Sequence, residues 1–276
     1  MPIFDLHAHS TESDGMLTPT QLVERAAQRG VDVLALTDHD TVSGLSEAGD
    51  AARRLGVELV AGCEISVTWE SLTIHVVGLR IDPDNVMLRE GLAGIRAGRD
   101  QRARKIGAAL EHAGVPRAYE GARAYATRDD LVSRTHFARF LVQCGAAPDI
   151  KRVFKRFLAP GKPGYVPHPW PSLVDAVSWV RAAGGQAVLA HPGRYPATRT
   201  RMRRLLGDFC AAGGDALEAL SPAHTARQYV EYATLARVFD LKVSQGSDYH
   251  APGESWIDLG GLPPMPAGAV AVWQHW

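Results

Sequence analysis

His7 and His9 stand two residues apart at the end of a short apolar run, and residues of the same kind return at comparable places along the chain. Asp14 lies in the loop after the pair, and Asp38, His39 and Asp40 follow the run from Val31 to Thr37. Glu64 closes a third run, His75 lies on a fourth from Leu72 to Leu79, His191 follows Gln186 to Ala190, and Asp248 and His250 follow Leu241 to Gln245. Side chains alternate along an extended chain, so a His-x-His pair sends two imidazoles to one side, where one ion can take both. A carboxylate such as Glu64 can bridge two cations, and mixed imidazole and carboxylate sets suit Mn2+, Fe2+ or Zn2+. Thiolates are missing from the set, which tilts away from structural zinc. Singly, each has an ordinary reading: a chance pair, a helix N-cap at Asp38, a salt bridge at Glu64, a core histidine at His75, a polar turn at Asp248. Together, on so many strand ends, they read as metal ligands.

The runs that carry these residues are the strands of a repeating pattern. Ile3 to Leu6, Val31 to Thr37, Val57 to Ile65, Leu72 to Leu79, Gln186 to Ala190, Ala216 to Leu220 and Leu241 to Gln245 are strand candidates, separated by helical stretches such as Ser43 to Leu55, Leu173 to Ala183 and Thr225 to Phe239. Thr18-Pro19-Thr20-Gln21 supplies an N-cap, a proline at the first helical position and a capping box. Repeated strand and helix units predict a parallel sheet buried on both faces, an α/β fold closing as a seven-stranded (β/α) barrel. In such barrels the loops after the strands converge on one rim, which makes distant residues one constellation. From 85 to 165 only helical stretches occur (Val86 to His112, Thr135 to Cys144, Ile150 to Leu158), so residues 1–84 and 166–276 are expected to form the barrel and 85–165 a small helical insert covering the active site.

Net charge is zero, yet Arg96 to Lys162 carries 15 Lys plus Arg against 6 Asp plus Glu, leaving 15 against 24 elsewhere. One part is suited to cations and the other to an anion. The three cysteines, Cys63, Cys144 and Cys210, lie far apart and in no metal-type spacing, and read as reduced, buried small hydrophobes. The first residues lack a basic start and an apolar run, and no stretch has the roughly eighteen apolar residues of a membrane helix, so a soluble cytoplasmic chain is expected.

The order His7-x-His9, Thr37-Asp38-His39, Gly62-Cys63-Glu64, His75, His191-Pro192 and Ser247-Asp248-x-His250 resembles the polymerase and histidinol phosphatase (PHP) family over the whole chain. The resemblance implies a distorted seven-stranded barrel holding two to three divalent ions, Mn2+ foremost, with Zn2+ or Fe2+ as alternatives. By motif, His7, His9, Glu64 and Asp248 would hold one ion, Glu64, His75 and His191 a second, and Asp14, His39 and His250 a third. Several relatives have histidine where this chain has Asp14, so the third ion is expected to bind more weakly or to be a different metal.

Within the family, Leu131-Val132-Ser133-Arg134-Thr135-His136 and Gly161-Lys162-Pro163-Gly164-Tyr165-Val166 resemble the branch of nucleoside 3′,5′-bisphosphatases and 5′-to-3′ exoribonucleases. Ser133, Arg134 and His136 precede a helix, where backbone N–H groups and the dipole favour a phosphate that Arg can grip in bidentate fashion. Arg194 and His224 point to the same rim and join the candidates for binding substrate phosphate; His224 could equally cap a helix, and Tyr165 or Trp170 could stack a base or pack in a lid or core. The expected reaction removes the 3′-phosphate of a nucleoside 3′,5′-bisphosphate by in-line attack of a hydroxide held between two cations. His7, His9, Glu64, His191 and Asp248 form the catalytic set, with His224 or a bound water open as general acid. The partner is a small nucleotide or short RNA, with neither membrane nor obligate protein partner expected. The alternatives are a 5′-to-3′ exoribonuclease on 5′-phosphorylated RNA, then a histidinol phosphatase, then a non-catalytic metal-binding module.

Overall fold

A computed structural model describes residues 2–274 and residue 276. Its strands are β1 (Phe4–Asp5), β2 (Val33–Leu36), β3 (Glu58–Trp69), β4 (Leu72–Leu79), β5 (Gln186–Leu189), β6 (Ala216–Leu220) and β7 (Lys242–Gln245), and they pair in chain order in one sheet. The edges then meet: Leu6 N–H donates to the Gln245 carbonyl at 3.1 Å, Gln245 Nε2 donates to the Phe4 carbonyl at 2.8 Å, and Ala8 forms a parallel bridge with Tyr249. The sheet is thereby a nearly closed seven-stranded barrel.

The sheet is mixed, which corrects the expected parallel one. β4 runs antiparallel to both β3 and β5, while the other neighbours are parallel. Only Glu70 and Ser71 separate β3 from β4, with Glu70 at φ 50°, and so short a link can join antiparallel strands only. A second correction follows. β3 continues to Trp69, so Glu64 lies inside the strand rather than closing it, and His75 faces the same region from the returning strand, paired with Ser66.

The helices, in chain order, are α1 (Pro19–Gln28), α2 (Leu45–Leu55), α3 (Val86–His112), α4 (Ala118–Arg123), α5 (Arg134–Gln143), α6 (Ile150–Val153), α7 (Leu173–Ala182), α8 (Arg199–Ala211) and α9 (Ala226–Val238). α1 starts at the expected capping box, Thr18 and Gln21 satisfying one another's backbone N–H groups, with Pro19 at the first helical position. Inside the barrel Leu6, Val33, Ala35, Val60, Val77, Val188 and Ala216 form a core of modest side chains, closed at one end by Val272 and by Trp273 stacked on Phe4 with centroids 4.4 Å apart. None of the described helices is long and apolar enough to cross a membrane.

α3 links barrel and insert through one stripe of residues three or four apart. Leu88, Leu92 and Ile95 join the core outside the sheet, whereas Ala103, Ile106 and Leu110 join a second core with Phe137, Leu141, Val153 and Leu158. Arg99 occupies the stripe between them, its charge taken by the fully buried Asp40, from which it is separated by only a charge-assisted hydrogen bond. Of the cysteines only Cys63 is buried; Cys144 is exposed and Cys210 half-buried, contrary to the expectation for all three.

Candidate active site

The short strands β1, β2, β5 and β7 end at the same rim and deliver His7 and His9, His39, His191, and Asp248 and His250, while β3 and β4 deliver Glu64 and His75. Gly246 makes the barrel seam possible here, because a Cβ at this position would lie 2.1 Å from the Cβ of His7. Two site residues hold left-handed backbone, His191 at φ 26° and Asp248 at φ 47°, as non-glycine residues do where the surroundings over-determine them.

Glu64 is the hub. Its Oε1 lies 2.7 Å from His75 Nδ1 and 2.9 Å from His191 Nε2; its Oε2 lies 3.0 Å from His39 Nδ1 and 3.3 Å from both His7 Nε2 and His9 Nε2. Asp248 Oδ1 sits 3.4 Å from His9 Nε2 and 3.6 Å from His250 Nδ1, and Asp14 Oδ1 sits 3.3 Å from His250 Nε2. Burial pushes the Glu64 carboxyl up, but the imidazoles of His75, His39 and His7 more than offset it and hold it well below the usual carboxylate range. Asp248 and Asp14 are likewise buried and held low, Asp248 by Arg194 and His7, Asp14 by His39 and His250. Three ionised carboxylates thus sit in a dry cluster, which is costly unless cations balance them.

The fit to metal ions rests on orphaned atoms. His7 Nε2, His9 Nε2, Asp14 Oδ1 and Glu64 Oε2 are buried without a hydrogen-bond partner among the described residues, and they face one another. Ligand atoms fall into sets lying within 4.8 Å: His9, Asp14, His39 and His250; His7, His9 and Asp248; His7, Glu64 and His191; His39, Glu64 and His75. Nitrogen and carboxylate oxygen alone make up these sets, a donor mixture suited to borderline and hard divalent ions. His39 stands between the Glu64 and Asp14 groups, whereas the motif-based partition assigned it to Asp14 alone.

The expected phosphate-binding residues divide. His136 is neutral: its Nδ1 accepts the Ser133 N–H at 3.0 Å, burial pushes it down to about 4, and its Nε2 is buried with no partner among the described residues, leaving an N–H to donate. Arg134 is half-buried with its guanidinium over Phe154. Ser133 differs from expectation, since its hydroxyl proton goes to Asp14 Oδ2 at 2.9 Å and its oxygen accepts the Thr135 N–H at 3.0 Å. Arg194 forms a close ion pair with Asp248 Oδ2.

His224 must be removed from the catalytic set. Its Nε2 accepts the Gly193 N–H at 2.9 Å and its Nδ1 donates to the Ala219 carbonyl at 2.8 Å, so both ring nitrogens are used by backbone and no proton is left for a leaving group. It latches the loop after His191 onto β6, and Gly193 lets the loop approach, since a Cβ there would lie 2.4 Å from the His224 ring. Trp170 belongs to the core beneath Arg99 and Arg102, whose guanidiniums lie 4.9 and 5.3 Å from its ring centroid, leaving no open face for a base.

Two residues escaped the sequence reading. Glu218, inside the apolar run of β6, accepts from His7 Nδ1 at 2.9 Å and from the His191 N–H at 2.6 Å; a lone charge in a buried strand was the signal. Arg102, one turn after Arg99 on α3, is lowered to about 9 by burial and by the charges of Arg134 and Arg99. A guanidinium stays protonated in proteins, so that repulsion amounts to an affinity for an anion.

With this geometry in hand, comparisons with known proteins place the chain. A PHP domain model matches residues 5–128. The chain is 48% identical over 275 residues to a 3′,5′-nucleoside bisphosphate phosphatase of Chromobacterium violaceum, covering 100% of this chain and 96% of that protein. It is 45% identical over 276 residues to the 5′-3′ exoribonuclease Rnm of Escherichia coli K12, covering 99% and 94%. A solved structure of an amidohydrolase from C. violaceum, with bound sulfate and no metal, superposes with a TM-score of 0.96 at 49% identity, covering 98% of this chain and 94% of that one. The chain belongs to the PHP family.

Proposed function

We propose that the protein is a metal-dependent phosphoesterase that removes the 3′-phosphate from nucleoside 3′,5′-bisphosphates, for example converting adenosine 3′,5′-bisphosphate to AMP and phosphate. The observation that carries this reading is the contact between two sites of opposite character. The carboxylate and imidazole cluster ends at Asp14, and Asp14 is bonded directly to Ser133, the residue before Arg134 and the N-cap of the turn that presents His136. A substrate with two phosphates one ribose apart matches a cation-holding cluster flanked by a guanidinium-lined helix start. The related bisphosphate phosphatase of C. violaceum supports the same substrate class.

His7, His9, Asp14, His39, Glu64, His75, His191, Asp248 and His250 would hold two to three divalent ions, with Mn2+ the favoured metal. When bound, such ions neutralise phosphate charge and acidify water near neutral pH. The chain's own residues do the rest. Neutral His136 offers its Nε2–H, and Arg134 and Arg102 their guanidiniums, to the 5′-phosphate at the start of α5, where the helix dipole adds to the attraction. Arg194 stands over Asp248 and is placed to meet the scissile phosphate. Glu218 and His224 fix the positions of His7 and of the loop bearing His191. A cytoplasmic location suits such a nucleotide substrate and is part of the proposal.

A second reading, 5′-to-3′ cleavage of short 5′-phosphorylated RNA, is supported by the exoribonuclease relatives. It is also favoured by a cleft of about 640 Å³ lined by Met16, Arg139, Lys151 and Trp256, because Met16 and Arg139 touch the backbones of His250 and Asp14. Phosphate or nucleotide release from adenosine 3′,5′-bisphosphate, histidinol phosphate and a 5′-phosphorylated trinucleotide, measured side by side on the metal-loaded protein, tests the proposal. The bisphosphate should be turned over with the highest kcat/KM; a faster reaction with histidinol phosphate overturns it.

A further inference from the structure

Resting on the function proposed above, we infer that Ser133 is a positioning residue that sets which oxygen of Asp14 faces the metal cluster and does not itself touch the substrate phosphate. Ser133 is buried, and its hydrogen-bonding capacity is already committed. Its only hydroxyl proton points to Asp14 Oδ2 at 2.9 Å, its oxygen receives the Thr135 N–H at 3.0 Å, and its own N–H is taken by His136 Nδ1 at 3.0 Å. A phosphate oxygen needs a donor, and Ser133 has none to spare.

The consequences run in two directions. With Oδ2 turned to Ser133, Asp14 faces the cluster with Oδ1; that atom is buried, has no hydrogen bond among the described residues, and lies 3.3 Å from His250 Nε2 and 3.8 Å from His39 Nε2. Asp14 is also held from behind, since Arg139 Nη1 donates to its carbonyl at 2.7 Å while gripping Glu254 at 3.0 and 2.8 Å. Meanwhile the Ser133 N–H fixes the His136 tautomer, leaving Nε2–H as the free donor. Ser133 is the N-cap of α5, and His136 and Arg139 lie three and six residues further on, so the first turns of this helix orient a cation ligand and an anion donor together. The insert is therefore part of the Asp14 site rather than a cover over it.

Three variants separate this role from phosphate contact. Ser133→Gly removes the hydroxyl but keeps the helix start, because glycine at an N-cap costs only about a few tenths of a kcal/mol. Ser133→Thr keeps the hydroxyl, and Ser133→Ala repeats the deletion with a different backbone preference. Calorimetric titration of the metal-stripped protein with Mn2+, without substrate, is expected to show the weakest equivalent bound about ten- to a hundredfold more weakly in Ser133→Gly and Ser133→Ala, with Ser133→Thr restoring it. At saturating Mn2+, KM for adenosine 3′,5′-bisphosphate should stay within about twofold of wild type, because the Ser133 N–H still orients His136. Unchanged Mn2+ binding in both deletion variants overturns the inference, and a raised KM with unchanged Mn2+ binding makes Ser133 a phosphate contact. If the wild type binds Mn2+ but leaves the bisphosphate intact, the proposed function fails while the titration still decides the role of Ser133.

Discussion

His7 donates its Nδ1–H to Glu218 Oε1 at 2.9 Å, which leaves Nε2 as the nitrogen that faces Glu64 and Asp248. The same carboxylate receives the His191 N–H at 2.6 Å, so one buried side chain orients residues from two strand ends. Such partners fix the tautomer of a ligating histidine and raise its basicity. Glu218→Ala should therefore weaken metal binding by about ten- to a hundredfold without removing any proposed ligand. Calorimetric titration checks this, and an unchanged affinity would show Glu218 to be a packing residue only.

Glu64→Ala should abolish turnover and lower metal content while the barrel still folds, because the rim of such a barrel is separable from its packed core. Asp14→Ala should retain more metal per chain than His7→Ala or His9→Ala, since Asp14 reaches the cluster from its edge through a single oxygen. Elemental analysis of the purified variants decides both points. Near-normal activity in Glu64→Ala would remove the metal-site proposal, and equal metal loss in all the others would sink the ranking.

Arg134→Ala should reduce kcat/KM for adenosine 3′,5′-bisphosphate by about ten- to a hundredfold, the worth of a charge-assisted hydrogen bond that persists in the transition state. Hydrolysis of adenosine 3′-monophosphate, which has no 5′-phosphate, should hardly change. Were both substrates slowed alike, Arg134 would serve the scissile phosphate or the fold.

His136 makes a prediction about pH. Burial pushes its imidazole from an ordinary 6.5 down to about 4, so the native state keeps it neutral where the unfolded chain binds a proton. Its contribution to stability is then present above pH 6.5 and is lost as the pH falls through the folded value of about 4. The difference in unfolding free energy between wild type and His136→Asn, measured by urea denaturation across that window, should shrink steadily toward acid. A difference that stays flat with pH would mean the ring is not buried as described.

His224→Ala should cost about 2 kcal/mol, the net worth of two hydrogen bonds to backbone, and should lower kcat by loosening the loop after His191. The acid and base limbs of the pH–rate profile should keep their positions, because His224 carries no proton in the reaction. Disappearance of a limb would return it to the catalytic set.

The proposed ligands could be read from sequence because the short parallel strands end where their residue types change, as Ile3 to Leu6 gives way to His7 and Leu241 to Gln245 to Asp248. Strand direction could not be read. A run such as Leu72 to Leu79 has the same composition whether it runs with or against its neighbours, and the hairpin turn at Glu70 and Ser71 contains neither glycine nor asparagine to mark it. His224 was misassigned because its bonds to Gly193 and Ala219 depend on two loops meeting in space. Arg99 and Glu218 left a fainter trace, each a charge set in an otherwise apolar stripe or strand.

The seam between β1 and β7 also bears on how the molecule comes into being. His7 and His9 emerge first during synthesis, yet they meet Asp248 and His250 only after the insert and the last three strands have been made. Until Gln245 bonds to Phe4 and Leu6, the nascent sheet has two open edges and the early histidines have no Asp248. Contacts so distant in sequence are slow to form, and exposed strand edges invite association between chains. A ribosome stalled before the final strand would release a barrel lacking its last stave and a metal centre without Asp248 and His250, so a working enzyme depends on complete translation of this chain.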